Sequence, residues 1–164
     1  MLRLALLVSS AALAGTTPQA LLTTLLKTPV KAAELPIGFS KPHAEKQALS
    51  ANARKHHGVG VVDVALKGPD PLDAFAWVVF TKPSDALADL DNPAVGNGVK
   101  VVGVVPGIRY SLVLTGMLHG RQITDAAAVS GNVLVQGVVV SGAVRERTAI
   151  LLLKAAILHL KHVG

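Results

Sequence analysis

The side chains able to carry chemistry are few and scattered. His56 and His57 are the one adjacent histidine pair. Neutral imidazoles ligate zinc or copper, so the pair is the first candidate metal site. Adjacent residues point apart on a strand or a helix, however, and no Asp, Glu or Cys stands at ligand spacing beside them. The pair reads as part of a polar loop. Asp63, Asp70 and Asp73 are the next candidates, as general acids or bases. Turn and surface positions account for them more simply. The chain has no Cys, which excludes disulfides, thiolate zinc sites and a cysteine nucleophile. It holds no phosphate loop, dinucleotide fingerprint, serine elbow or His-Glu-x-x-His pair. The expectation is a protein that is not an enzyme, with no catalytic residue, no metal and no cofactor.

The elements around these residues are apolar. Of the 164 residues 51% are hydrophobic and 16% charged, which excludes a disordered chain. Only Phe39, Phe75, Trp77, Phe80 and Tyr110 are aromatic. Charge is zoned: residues 1–62 carry net +5, residues 63–91 net −4, and residues 92–164 net +5. The basic residues stand singly, without interleaved aromatics, which argues against nucleic acid as a partner. Basic flanks beside apolar stretches fit a lipid bilayer better.

Residues 1–33 read as a targeting or anchor segment. They lack Asp and Glu, carry Arg3, Lys27 and Lys31, and are rich in Ser and Thr. That is the composition of a mitochondrial or plastid transit peptide. A secretory signal with small residues near Ala14 is a second reading. A retained anchor is a third, because Leu4 to Leu26 has no charge. Residues 34–91 read as a soluble, polar and acidic segment. Ala44–Lys55 is expected to contain a short helix. Val59–Leu66 and Ala74–Phe80 read as short strands of a hairpin around Gly68-Pro69-Asp70-Pro71. Ser84-Asp85 is placed as the cap of a helix through Leu90.

Residues 92–147 hold two long apolar stretches, Gly98–Leu118 and the charge-free Ala126–Val144, joined by a short polar segment. Both lengths suit a transmembrane helix. The predicted fold class is therefore mainly α, a membrane helical hairpin followed by a C-terminal amphipathic helix over 148–164. Helix packing and partner contact are assigned to Gly103, Gly107, Arg109, Asn132, Gln136 and Gly137. Small residues let membrane helices approach, and an intramembrane Arg, Asn or Gln seeks a protein partner. The same Val- and Gly-rich stretches also read as three strands of a β-rich domain, over Gly98–Val105, Arg109–Met117 and Asn132–Val144.

Asn92-Pro93-Ala94-Val95-Gly96-Asn97-Gly98 resembles the Asn-Pro-x-Val-x-x-Gly opening of the hypoxia-induced-gene domain, the family of the respiratory supercomplex factors. Gly107-Ile108-Arg109-Tyr110 is similar to its following Gly-Leu-Tyr, and Val133-Leu134-Val135-Gln136-Gly137 to its Val-x-x-Gln-Gly. Asn132 stands where that family has an Arg. The resemblance implies two transmembrane helices in the mitochondrial inner membrane, with the Arg121 loop on the matrix side. It implies a non-catalytic accessory subunit that contacts respiratory-chain membrane subunits, cytochrome c oxidase first among them, and supports assembly or supercomplex organisation. Two alternatives stand beside it. One is the membrane anchor of succinate dehydrogenase, which Tyr110-Ser111-Leu112 and Leu118-His119-Gly120 resemble. The other is an exported soluble β-rich binding domain.

Overall fold

The computed structural model describes residues 16–93, 98–118, 120–140 and 145–163. Helix α1 (Pro18–Lys27) comes first. The Thr17 hydroxyl caps it by accepting the Ala20 N–H at 3.2 Å, and Pro18 occupies the first turn, where no N–H is required. Then follow β1 (Ser40–Gln47), α2 (Ala51–Lys55), β2 (Gly58–Lys67), β3 (Ala74–Phe80) and α3 (Pro83–Asp91). The chain continues with β4 (Lys100–Gly103), β5 (Ser111–Leu118), β6 (Arg121–Ser130), β7 (Val133–Val139) and α4 (Arg145–Val163). The strands form one seven-stranded sheet in the order β1-β2-β3-β7-β6-β5-β4, with every neighbouring pair antiparallel. The sheet is thus two meanders, β1-β2-β3 and β4-β5-β6-β7, joined along one seam where Trp77 pairs with Val135.

Strand alternation sorts the side chains onto two faces. Val62, Val64, Phe75, Trp77, Val79, Val133 and Val135 face α1 and α4, and none is more than 1% exposed. Leu21, Leu22 and Leu25 of α1 and Leu152, Leu153 and Leu160 of α4 complete this core. Val78, Phe80, Ala127 and Leu134 face the other way and pack against Ala53 of α2 and Ala86 and Leu90 of α3. The central strands are covered on both faces, so β7 has little polar alternation to show.

This architecture overturns the mainly α membrane hairpin. Gly98–Leu118 contains β4, a turn and β5. Ala126–Val144 takes in the end of β6, the turn at Gly131 and β7, while residues 141–144 lie outside the described residues. Val and Ile are stiff β-branched residues that pack well on a pleated surface, and the neighbouring strands take up the backbone hydrogen bonds. Among the described residues, no helix is long and apolar enough to cross a membrane. The glycines that mimicked helix packing serve a sheet. Gly131, with φ +60°, takes the first central position of the two-residue β6–β7 turn. Asn132 pins that turn to β3: its Nδ2 donates to the Phe80 carbonyl at 2.8 Å, and its own carbonyl accepts the Phe80 N–H at 2.9 Å.

Two further corrections concern local elements. Ala44–Gln47 belongs to strand β1, and the helix expected over Ala44–Lys55 is only α2, capped by Ser50. The α3 helix has Lys82 at its cap without a side-chain bond, and Pro83 rather than Ser84 opens it. The charge-free run ending at Leu26 enters the fold as α1, whose leucines are core residues; residues 1–15 lie outside the described residues. The β2–β3 hairpin forms as the sequence predicts, and the C-terminal helix forms as α4.

The α4 helix comes unusually close to the sheet. A Cβ on Gly137 would stand 2.5 Å from the Ala149 carbonyl oxygen and 2.6 Å from the Leu153 nitrogen. Ala126, Ala128, Ala149 and Ala156 extend this small-residue contact. The Trp77 indole N–H donates to the Ala156 carbonyl at 3.0 Å, and its ring lies 5.4 Å from that of His159. At the far end of α4, Glu34 accepts from Nδ1 of His159 at 3.0 Å and Nδ1 of His162 at 2.9 Å. An ionised carboxylate only accepts, which puts a proton on both Nδ1 atoms. Burial alone raises the Glu34 pKa, but the Lys31 N–H and the two imidazoles outweigh it and bring it to about 2.

Two predictions follow from these contacts. Gly137→Val destabilises the protein by ~2–4 kcal/mol, because the new side chain meets helix backbone that cannot turn aside. Gly103→Val, where a Cβ meets nothing within 4 Å, stays within ~0.5 kcal/mol. Urea unfolding of both variants reads the contrast. The second concerns pH. The depressed Glu34 pKa stabilises fully above its ordinary value of 4.5, and that contribution is lost as pH falls towards about 2. Glu34→Gln is therefore ~1 kcal/mol less stable than the parent at pH 6. The gap closes as unfolding is measured at successively lower pH; a constant gap refutes the pairing of Glu34 with the two imidazoles.

Candidate functional site

The second face of the sheet is only partly roofed. Helices α2 and α3, with Pro93 and Val99, wall a cavity of about 370 Å³ whose floor is β5, β6 and β7. Val61, Val78, Leu90, Leu114, Ile123 and Leu134 make its surface mainly apolar. Alternation along β6 explains its chemistry. Thr124, Ala126 and Ala128 turn towards α4, so Ile123, Asp125 and Ala127 line the cavity. On the neighbouring strand Leu134 and Gln136 share that face.

Asp125 is the distinctive group. Gln136 Nε2 donates to its Oδ2 at 2.8 Å. Its Oδ1 is closed to bulk water and has no hydrogen-bond partner. Part of the residue's surface stays open where it lines the cavity. Burial drives the pKa up to about 7, and the Gln136 bond pulls it only part of the way back. Near neutral pH the carboxyl therefore exists in both forms. As an acid it donates to a ligand oxygen; as an anion it accepts from a ligand donor or pairs with a cation.

Asp89 of α3 enters the same cavity. Asn52 Nδ2 donates to its Oδ1 at 2.7 Å and to the Asn92 carbonyl at 2.9 Å. Burial raises the Asp89 pKa, while the nearby His56 and the Asn52 bond pull it down. Ser50 is the remaining polar side chain of the lining, Thr115 being turned with Thr124 towards the α4 face, and among the described residues no Lys, Arg or His lines the cavity.

The residues singled out from sequence are dispersed. Gly103 ends β4, and Gly107 lies in the β4–β5 turn with φ +81°. Arg109 sits in that same turn with its guanidinium 5.0 Å from the Tyr110 ring centroid. None of the three packs against a helix: a Cβ on either glycine meets nothing within 4 Å. Asn132 holds a turn and Gly137 receives α4. Gln136 alone lines the cavity, and it does so from a strand.

His56 caps the end of α2 with its Nε2 buried and unpartnered, and His57 adopts the left-handed region at φ +59°. Among the described residues no group of three or more His, Cys, Asp or Glu is placed to hold a metal. Asp70 and Asp73 occupy the β2–β3 turn, as expected, but they are buried rather than superficial. Asp70 pairs with Arg121 through two hydrogen bonds, which lower its pKa. Asp73 accepts the Val140 N–H at 2.9 Å and the Asp70 N–H at 3.2 Å, tying the turn to the end of β7. Desolvation nevertheless raises its pKa. Asp63 lies on the open part of the second face, where burial and the cross-strand Glu45 charge raise its pKa.

No family model, no curated protein and no solved structure matches this chain. The hypoxia-induced-gene resemblance therefore rests on the quoted residues alone. Of these, 94–97 lie outside the described residues, Ile108 and its neighbours form a turn, and Val133–Gly137 is strand. The two-helix hairpin that the resemblance implied is not the fold of this segment.

Sequence reading missed Asp125, Asp89 and Asn52. A signal existed for the first. Asp125 is the only acid between Asp91 and Glu146, and it stands against an apolar run. Assigned to a polar loop, it drew no attention; placed on a strand, it becomes a lone carboxylate on a buried face.

The raised pKa makes Asp125 a cost to folding at neutral pH. Stability is full below the ordinary value of 3.8 and is lost as pH rises through about 7. Asp125→Asn is predicted to raise the unfolding free energy at pH 8 by ~1–3 kcal/mol and to give no gain at pH 4. Denaturant titration at the two pH values checks this; destabilisation at pH 8 would contradict the burial argument.

Proposed function

We propose that this protein binds a small, mainly apolar molecule in the cavity between α2, α3 and the β5-β6-β7 floor. Of the readings the sequence leaves open, this is the β-rich binding domain, taken without any claim of export. The observation that carries it is a mainly apolar cavity with Asp125 in its wall, whose Oδ1 is buried there without a hydrogen-bond partner. Buried polar groups are nearly always paired, and exceptions concentrate at functional sites. A cavity of about 370 Å³ lies within the range of small-ligand sites, about 300–1,000 Å³. It would hold ~12 waters at ~30 Å³ each. Their release from apolar walls favours a ligand of comparable size, and a few polar groups orient it.

The test uses a neutral apolar dye such as Nile red, whose fluorescence rises on entering a dry site. Saturable one-to-one binding is expected. Ala48 lies exposed at the rim of the cavity, so Ala48→Trp plugs the mouth without touching the core. It is predicted to weaken dye binding by at least ~10-fold, or ~1.4 kcal/mol. Leu158→Ala, on the exposed outer side of α4, leaves binding unchanged. Non-saturable binding, or equal loss in both variants, refutes the site.

A further inference from the structure

The hydrogen-bonding capacity of the cavity is unbalanced. Asn52 has committed both Nδ2 hydrogens, to Asp89 and to the Asn92 carbonyl. Gln136 has committed one Nε2 hydrogen to Asp125. The Asn92 carbonyl only accepts, which fixes the Asn52 amide, and the ionised Asp125 carboxylate fixes that of Gln136 in the same way. Among the described residues, with Asp125 ionised, the uncommitted atoms are therefore mostly acceptors: Asp89 Oδ2, the two amide oxygens, and Asp125 Oδ1 just beneath the cavity surface. The donors left are one Gln136 N–H and the Ser50 hydroxyl. Among the described residues two carboxyls line the space and no cationic side chain does. From this geometry we infer that the ligand is an apolar amine, held as its ammonium ion by Asp125 and Asp89 with its hydrocarbon part against Leu114, Ile123 and Leu134.

The inference rests on the cavity being a ligand site and names what that site takes. An ammonium group has three donors and no acceptor, the complement of this lining. It also supplies the charge that the desolvated carboxyls lack, so each amine bound in the apolar space stabilises an anion that is otherwise unfavourable there. A carboxylate ligand would meet two acids. An alcohol would leave most of the acceptors unsatisfied.

Recognition should follow the ionisation of Asp125. The groups beside it are Gln136 and Val138 on β7 and Leu114 on β5; α3, which packs on β6, carries Asp85 and Asp89, and Asp89 lines the same cavity. His56 acts on Asp89 from the end of α2, and Asp63 stands further along the same sheet face. As pH rises through neutrality the site gains negative charge while an alkylamine keeps its proton. Amine affinity therefore rises with pH over that interval.

The experiment is displacement of the neutral dye by hexylamine, 1-hexanol, 2-heptanone and hexanoate, at pH 5.5 and pH 8. At pH 8 hexylamine is expected to displace the dye at a concentration at least ~10-fold below that of hexanol, with hexanoate weakest. At pH 5.5 its advantage shrinks. In the Asp89→Asn/Asp125→Asn double variant, with dye affinity measured first, hexylamine and hexanol displace the dye at similar concentrations; the pH profile of the parent protein tests the same point without substitution. Equal displacement by amine and alcohol overturns the inference but leaves the cavity a ligand site. So does a ketone that binds best, and more tightly at pH 5.5, since it would be using Asp125 as a donor. Failure of the dye to bind at all removes the site and the inference together.

Discussion

The contact between α4 and the middle of the sheet governs the rest of the molecule. Helix backbone and strand backbone meet there because Gly137 has no side chain and its neighbours Ala126, Ala128, Ala149 and Ala156 have small ones. Close approach trades side-chain volume for dense van der Waals contact and exclusion of water. It also seals one whole face of β6 and β7. The other face of those strands is then the place where polar groups can stand beside empty space. Gly137 and Gln136 are adjacent in sequence and serve opposite faces: one admits the helix, the other reaches Asp125.

Four shielded acids of this protein, Glu34, Asp70, Asp73 and Asp125, divide by what they touch. Glu34 is gripped by two imidazoles and a backbone N–H, and Asp70 by Arg121. Their charges are paired, and their pKa values are lowered. Asp73 accepts two backbone N–H groups and fastens a turn. Asp125 has one amide bond and an oxygen with no partner. The first three contribute to holding the sheet and its helices in place. The last opposes folding at neutral pH, and its position on an apolar cavity wall gives that opposition a use: the charge becomes favourable when a complementary group arrives.

The β2–β3 hairpin was legible in the sequence because its strands are bounded by strong turn chemistry, whereas β1 was not. Gly68-Pro69-Asp70-Pro71 separates two aromatic or β-branched runs, and the hairpin follows. The C-terminal helix was legible from its apolar spacing. The central strands were misread for a physical reason. A strand covered on both faces has no alternation, and the run from Ala126 through the Gly131 turn is as long and uncharged as a membrane span. Gly131 and Asn132 are the turn signal within it, and the helical reading gave Asn132 a packing role instead. The cavity was not legible, since it needs Asn52, Asp89 and Asp125 from three separate elements. Only Gln136 was picked out, as a polar group seeking a partner, and its partner lies on the next strand.

The division of the sheet into two meanders has a consequence for the order of assembly. Every strand pairing but one joins neighbours in sequence; the exception is the β3–β7 seam. The first meander is complete soon after Phe80 leaves the ribosome, and until the last strand arrives it presents β3 as an open edge of exposed apolar residues. Such an edge is where strands of other chains attach. Closing the seam and seating α4 come last because both depend on residues beyond Val133, and their loop-closure cost is the largest in the fold. The single tryptophan lies on that edge strand, and its indole N–H finds its acceptor only on α4. Closure of the seam and docking of α4 thus both change the surroundings of Trp77, so its emission reports them together.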